Sequence, residues 1–104
     1  MGSCKHFPIL SVEEIDENIK NLKGWHLENQ KLNKKFTFDP KQKECFLKVK
    51  QFVDKICDVS EEIFHHPDIK FGWGYADISI WTHALSGLTE KDFLLAKKID
   101  SLTN

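Results

Sequence analysis

A long amphipathic segment from Phe46 to Ile63 constrains the fold of this chain more than any other feature. Along it, apolar side chains and one serine recur at alternating spacings of three and four residues, at Phe46, Val49, Val53, Ile56, Ser60 and Ile63. This spacing predicts a helix of about five turns with one buried face, which Phe52 and Val59 widen. Such a helix must pack its apolar face against a second layer of structure.

The residues on either side of this segment predict where the helix begins and ends. Asp39 is suited to be the N-cap, Pro40 the first helical residue, and Gln42 the side chain that reaches back as in a capping box. Pro67 disfavours a helical conformation in the residue before it, so we expect the helix to end near Phe64. The three residues that follow are then an extended corner.

Two further helices are indicated by capping signals. Ser11 and Glu14 have the spacing of a capping box, and the apolar residues around them form one stripe, Val12, Ile15, Ile19 and Leu22. We expect Gly24 to end this helix, since glycine readily adopts the left-handed conformation of a C-terminal cap. A final helix is expected after Leu88, because the segment from Leu88 to Phe93 repeats the N-cap pattern.

Two regions alternate apolar and polar residues, as strands do. Between Trp25 and Phe38 the alternation is interrupted by a polar stretch from Glu28 to Lys31, which predicts a hairpin. The segment from Tyr75 to His83 is the clearest strand, with one face formed by Ala76, Ile78 and Ile80.

The order of these elements predicts the α+β class, with an antiparallel sheet of about four strands and three helices packed on one face. A length of 104 residues suits a single domain covering positions 1–104. The other face of the sheet, or an edge strand, is then available for self-association, so we expect a homo-oligomer.

Composition and charge narrow the possible functions. Hydrophobic residues make up 40% of the chain, and 15 basic residues against 16 acidic ones leave a net charge of −1. Such a chain can bury a core, and it offers no positive field for direct binding of nucleic acid or an anionic membrane. We find no apolar run of about 18 residues for a membrane span and no apolar stretch of a signal peptide, so we expect a soluble, cytoplasmic protein.

The cysteines predict reduced thiols. Cys4, Cys45 and Cys57 are odd in number and lack the paired spacing of a zinc site. If Cys45 and Cys57 share the long helix, they lie roughly 18 Å apart, far beyond the ~7 Å limit for a disulfide.

The histidines are the candidate reactive groups, because the chain has no nucleophile elbow, phosphate-binding glycine loop or HExxH motif. His65 and His66 follow the long helix, Glu61 precedes His65 by one helical turn and is expected on its side, and His83 ends the clearest strand. Other interpretations stay open from the residues alone. His65 and His66 can cap the helix C-terminus, and His83 can satisfy a strand-end hydrogen bond. A zinc site is a further alternative, although its ligand spacing is unusual.

The motifs Glu61-x-x-x-His65-His66-Pro67, Thr82-His83 and Ser86-Gly87-Leu88-Thr89-Glu90-Lys91-Asp92 together resemble the pterin-4a-carbinolamine dehydratase family. The resemblance extends over nearly the whole chain. It implies dehydration of 4a-hydroxytetrahydropterins to quinonoid dihydropterins, as in tetrahydrobiopterin recycling, by a homodimer or homotetramer with no metal or organic cofactor.

The resemblance also assigns roles to residues. It implies that His65, His66 and His83 are catalytic and that the pterin site is lined by Glu61, Thr82, Asp92 and Trp25. Because histidine can donate and accept protons near neutral pH, we expect acid and base roles for His65 and His83, and for His66 either a positioning role or a role at the alternate face of the substrate. Glu61 and Asp92 can orient an imidazole or accept hydrogen bonds from the pterin. Some animal members of the family also stabilise the dimer of a homeodomain transcription factor. A non-enzymatic binding module with such a partner is therefore the alternative function, and a pterin carrier without catalysis is a third.

Three positions depart from the family pattern. Phe64 stands where an aspartate is common, the pair Trp73-Gly74 where an aromatic residue and asparagine are common, and Trp81 where a small polar residue is usual. These differences alter the shape and polarity expected of the pocket rim and leave the three imidazoles in place.

Overall fold

A computed structural model describes residues 8–82 and 87–103 of the chain. In these ranges it contains three helices and a four-stranded antiparallel sheet with strand order β1-β2-β4-β3. This confirms the α+β class. The elements are α1 Val12–Ile19, β1 His26–Glu28, β2 Lys31–Thr37, α2 Cys45–Ile63, β3 Asp68–Gly72, β4 Tyr75–Ile80 and α3 Glu90–Ser101.

The core lies between one face of the sheet and the helices. On the two central strands, β2 and β4, Leu32 lies opposite Ile80 and Phe36 opposite Ala76, and all four side chains are buried. Val49, Phe52, Val53 and Ile56 of α2 and Phe93, Leu95, Ala96 and Ile99 of α3 belong to the same apolar cluster. The alternation predicted for β4 is confirmed, since Ala76, Ile78 and Ile80 are its buried residues.

The hairpin between β1 and β2 is also confirmed. Asn29 and Gln30 connect the two strands, with φ angles of 55° and 61°. Positive φ at both positions is typical of the two-residue turn whose twist matches that of the strands it joins.

The long helix begins at Cys45, so the N-cap predicted at Asp39 is wrong. Asp39 instead forms a turn, in which its Oδ1 accepts from the Lys41 backbone N–H at 2.9 Å and its carbonyl oxygen accepts from Gln42 at 3.3 Å. The Pro40 carbonyl accepts from the Trp73 indole N–H at 3.0 Å. These contacts hold residues 39–42 outside the helix, whereas the predicted helix end is confirmed.

The buried face of α2 is shifted from the predicted one at its first turn. Cys45 is fully buried, whereas Phe46 is 45% exposed and stacks on Phe71 of β3 with ring centroids 6.0 Å apart. Cys45 and Cys57 are both free thiols, as expected for two residues on one helix. Among the described helices, none combines the length and apolarity needed to cross a bilayer.

The first helix is shorter than predicted. Its capping box between Ser11 and Glu14 is confirmed, but the helix ends at Ile19 and Val12 is 71% exposed. The chain then forms a turn, in which the Leu22 N–H donates to the Ile19 carbonyl at 3.0 Å. This turn brings Leu22 into the core. Gly24 has the left-handed conformation expected of it, with φ at 83°, but five residues beyond the helix end.

Candidate active site

The C-terminal end of α2 positions the two adjacent histidines. Phe64 ends the helix in the left-handed region, with φ and ψ both at 51°. Its N–H donates to the Glu61 carbonyl at 3.3 Å, and the His65 N–H donates to the Ser60 carbonyl at 3.0 Å. This pair of bonds is a Schellman motif, which reverses the chain within one residue. As a result His65 lies inside the protein and His66 lies at the surface.

His65 forms a buried pair with Asp92, which lies in the first turn of α3. The His65 Nε2 lies 2.6 Å from Asp92 Oδ1, with His65 9% exposed and Asp92 fully buried. Asp92 Oδ2 accepts from the Thr89 backbone N–H and from the Thr82 hydroxyl, each at 2.8 Å. The Thr82 and Thr89 hydroxyl oxygens lie 3.0 Å apart. A buried carboxylate is tolerated here because both oxygens are hydrogen-bonded and it faces the positive end of a helix.

The contact with Asp92 selects one tautomer of neutral His65. A carboxylate oxygen only accepts hydrogen bonds, so the nitrogen that faces it, Nε2, carries the hydrogen. Nδ1 of His65 is then the nitrogen that can accept a proton. A carboxylate in this arrangement orients the ring and fixes its tautomer.

A second imidazole–carboxylate pair lies beside the first at the surface. The His66 Nε2 lies 2.5 Å from Glu61 Oε2, and the two side chains are 48% and 71% exposed. Glu61 was expected beside His65. It pairs with His66 because the helix ends at Ile63 and the left-handed Phe64 turns the chain before the next helical turn is complete.

Two cavities flank this region. A cavity of about 190 Å³ next to His66 is lined by Cys57, Ser60, Glu61, His66, Pro67 and Ile69. A larger groove of about 650 Å³ covers the open face of the sheet, and neither His65 nor His66 lines it. Of the two imidazole–carboxylate pairs, His66–Glu61 lines the smaller cavity, whereas His65 and Asp92 line neither of the two. In the described part of the chain, we find no group of three or more side chains suited to hold a metal ion.

Of the remaining candidate residues, only Thr82 lies beside the His65–Asp92 pair in the described structure. Thr82 lies in the His65–Asp92 cluster, just beyond the end of β4, and its N–H donates to the Gly87 carbonyl at 2.9 Å. His83 lies outside the described residues. Trp25 is buried in the core, and its indole N–H donates to Asp100 at 3.0 Å. Asp100 is eight residues after Asp92 on α3, about 12 Å along the helix. The structure therefore does not bring Trp25 to the His65–Asp92 pair.

Sequence reasoning did not identify the partner of Asp92. Asp92 was expected to line the pterin site and either orient an imidazole or bind the pterin, and in the structure it holds His65 across 27 positions. The capping pattern of Thr89 and Asp92 was visible in the sequence, and it is confirmed. It gave no sign that the other oxygen of the same carboxylate faces a histidine.

Comparison with known proteins shows the family. The profile of the family described as pterin 4 alpha carbinolamine dehydratase matches residues 8–102, and the chain belongs to this family. A protein of Rubrobacter xylanophilus assigned by name to the same family is 40% identical over 96 residues, which cover 91% of this chain and 85% of that protein. The chain is also 35% identical over 101 residues to pterin-4-alpha-carbinolamine dehydratase 2, mitochondrial, of Arabidopsis thaliana, with 96% of this chain and 54% of that protein covered.

Solved structures share the fold. A transcriptional coactivator/pterin dehydratase from Brucella melitensis superposes with a TM-score of 0.84 at 23% identity, covering 93% of this chain and all of that one. A pterin dehydratase-like protein, described as a RuBisCO assembly factor in the alpha-carboxysome, has a TM-score of 0.60 at 26% identity and covers 77% of this chain and 87% of its own.

Proposed function

We propose that this protein is a dehydratase that converts 4a-hydroxytetrahydrobiopterin to quinonoid dihydropterin and water, in tetrahydrobiopterin recycling. The observation that carries the proposal is the buried His65–Asp92 pair, with its bond of 2.6 Å, next to the His66–Glu61 pair. Membership of the family supports it.

The proposed reaction needs one proton delivered and one removed. A protonated imidazole donates to the 4a-hydroxyl oxygen, the carbon–oxygen bond breaks, and water leaves. The lone pair of the neighbouring ring nitrogen forms the new carbon–nitrogen double bond, and a neutral imidazole removes the proton from that nitrogen. Protons are exchanged with no net oxidation, and solvent restores both imidazoles. Histidine can serve in either role near neutral pH.

In this mechanism His65 and His83 take the acid and base roles, and His66 positions the substrate. Asp92 holds the His65 ring so that Nδ1 is the proton-transfer atom. Glu61 binds the Nε2 of His66 at the surface. Positioned acid–base groups of this kind each accelerate a reaction by roughly 10²- to 10⁴-fold.

We also propose that the protein works as a homodimer or homotetramer. The sheet face opposite the helices is open, and β1 and β3 are edge strands that a second chain can pair with or cover. Light scattering at micromolar concentration tests this directly, since a monomeric mass of 12.1 kDa contradicts it.

The test of the proposed function is a spectrophotometric assay of quinonoid dihydropterin formation from freshly made 4a-hydroxytetrahydropterin. We expect the protein to accelerate the reaction and the double variant His65→Ala with His83→Ala to lose the acceleration, with its circular dichroism unchanged. His26→Ala is the matched control, because His26 is an exposed histidine on β1 paired only with Glu28 in the described residues. Full activity in the double variant, or no acceleration by the parent protein, overturns the proposal.

A further inference from the structure

Phe64 combines two properties that are unusual together. Its backbone lies in the left-handed region, with φ at 51°, where a β-carbon is disfavoured and glycine or asparagine usually ends a helix. Its side chain is nevertheless large and 75% exposed, so burial in the core does not offset the strain. Strained positions of this kind occur preferentially at functional sites.

The one ring contact of Phe64 in the described structure is with His66. The two ring centroids lie 5.1 Å apart with an angle of 85° between the planes, an edge-on aromatic contact. The left-handed turn at Phe64 is what sets this geometry, because it reverses the chain between the two residues. Phe64 therefore holds the His66 ring through a contact separate from its hydrogen bond to Glu61.

His66 needs this second contact to have a fixed orientation. Its bond to Glu61 joins two exposed side chains, and an exposed pair of this kind contributes little and competes with water. Rotation of an imidazole about its second side-chain torsion is broad, so a single hydrogen bond at Nε2 leaves the ring free to pivot. An aromatic neighbour restricts that motion.

We propose that Phe64 is a positioning residue that fixes the ring of His66 against Glu61 for the reaction. The proposal deepens the proposed dehydratase function and rests on it, since the value of a fixed His66 lies in orienting the pterin. It concerns a residue that acts through His66 and does not require Phe64 to touch the reacting atoms.

The informative substitution is Phe64→Asn, because asparagine tolerates the left-handed conformation and the variant keeps the helix end. Phe64→Tyr retains the ring and is the rescue variant. Phe71→Thr removes a different exposed aromatic side chain, on β3, and serves as the control for general loss of apolar surface.

The first measurement is the chemical shifts of the His66 ring protons by NMR, which needs no activity. We expect Phe64→Asn to remove the ring-current shift of these protons, Phe64→Tyr to preserve it, and Phe71→Thr to leave it unchanged. The second measurement is steady-state kinetics, in which Phe64→Asn lowers kcat roughly tenfold, less than the ~10²-fold that a 1 Å misplacement of a reacting group can cost.

The outcomes separate the two proposals. His66 signals that are the same in Phe64→Asn and the parent overturn the positioning role, whatever the activity. A ring-current change without any change in kcat also overturns it, because the orientation of His66 then has no consequence for the reaction. If the parent protein does not accelerate dehydration at all, the dehydratase function fails even when the NMR result confirms the contact, and the positioning role for that reaction fails with it.

Discussion

Asp92→Asn is the most informative substitution in the buried His65–Asp92 pair, because it keeps the shape of the side chain and replaces one hydrogen-bond acceptor by a donor. The Thr89 backbone N–H lies 2.8 Å from Oδ2 and cannot rotate away, so the amide oxygen of asparagine must remain there. The amide nitrogen then faces His65 Nε2 in place of Oδ1. Neutral His65 must accept through Nε2 and carry its hydrogen on Nδ1, which removes the acceptor from the proposed reaction.

The expected cost in stability follows from the hydrogen bonds of the carboxylate. It accepts three, from His65, Thr82 and Thr89. A hydrogen bond to a charged group contributes about 1 kcal/mol more than a neutral one, so the loss is about 3 kcal/mol. For a chain of this size that lowers Tm by roughly 12 °C. The substitution also affects catalysis. We expect kcat to fall about 10²- to 10⁴-fold, because the wrong tautomer abolishes proton transfer by His65.

The assay measures initial rates of quinonoid dihydropterin formation well below both melting temperatures, alongside thermal unfolding by circular dichroism. Asp100→Asn is the matched control on the same helix. Its carboxylate accepts from the Trp25 indole N–H at 3.1 Å and from the Lys34 ammonium at 2.9 Å. It lies about 12 Å along α3 from Asp92, so we expect a loss of about 1 kcal/mol and unchanged kcat. Parental kcat in a folded Asp92→Asn protein refutes the tautomer argument.

Two further substitutions follow from the same structure. Glu61→Gln removes the charge beside an exposed histidine, so we expect a decrease of about threefold to tenfold in kcat/KM and a change in unfolding free energy within about 0.5 kcal/mol, checked by kinetics and urea denaturation. A loss as large as that of Asp92→Asn contradicts the distinction between the buried and the exposed pair. Gly24→Ala forces a β-carbon into a φ of 83° and to 3.0 Å from the Lys34 Cε, so we expect a loss of about 1–2 kcal/mol in urea denaturation with kcat unchanged. Unchanged stability shows that the turn relaxes.

Most of the fold followed from periodicity in the sequence. The alternation of Ala76, Ile78 and Ile80 and the three-and-four spacing along α2 are properties of single elements. The alternation was confirmed, and the spacing along α2 was confirmed from Val49 to Ser60 but not at Phe46. The helix starts and ends were less predictable where distant residues decide them. The α2 start depends in part on the Trp73 indole binding the Pro40 carbonyl across 33 positions, which no local pattern contains.

The candidate site was predictable in its histidines and only partly in its pairings. Glu61 is close in sequence to both His65 and His66. Which of the two histidines it binds depends on the left-handed turn at Phe64. Helical spacing favoured His65, because it assumes that the helix continues. The His65–Asp92 bond joins the ends of two helices, and its existence depends on how α3 packs against α2.

The role proposed for His65 is best examined by ¹⁵N NMR of its ring during titration with an oxidised pterin. We expect neutral His65 to carry its hydrogen on Nε2 and the Nδ1 resonance to shift saturably as the pterin binds. A neutral ring with its hydrogen on Nδ1, or ring nitrogens that do not respond to saturating pterin, would contradict it.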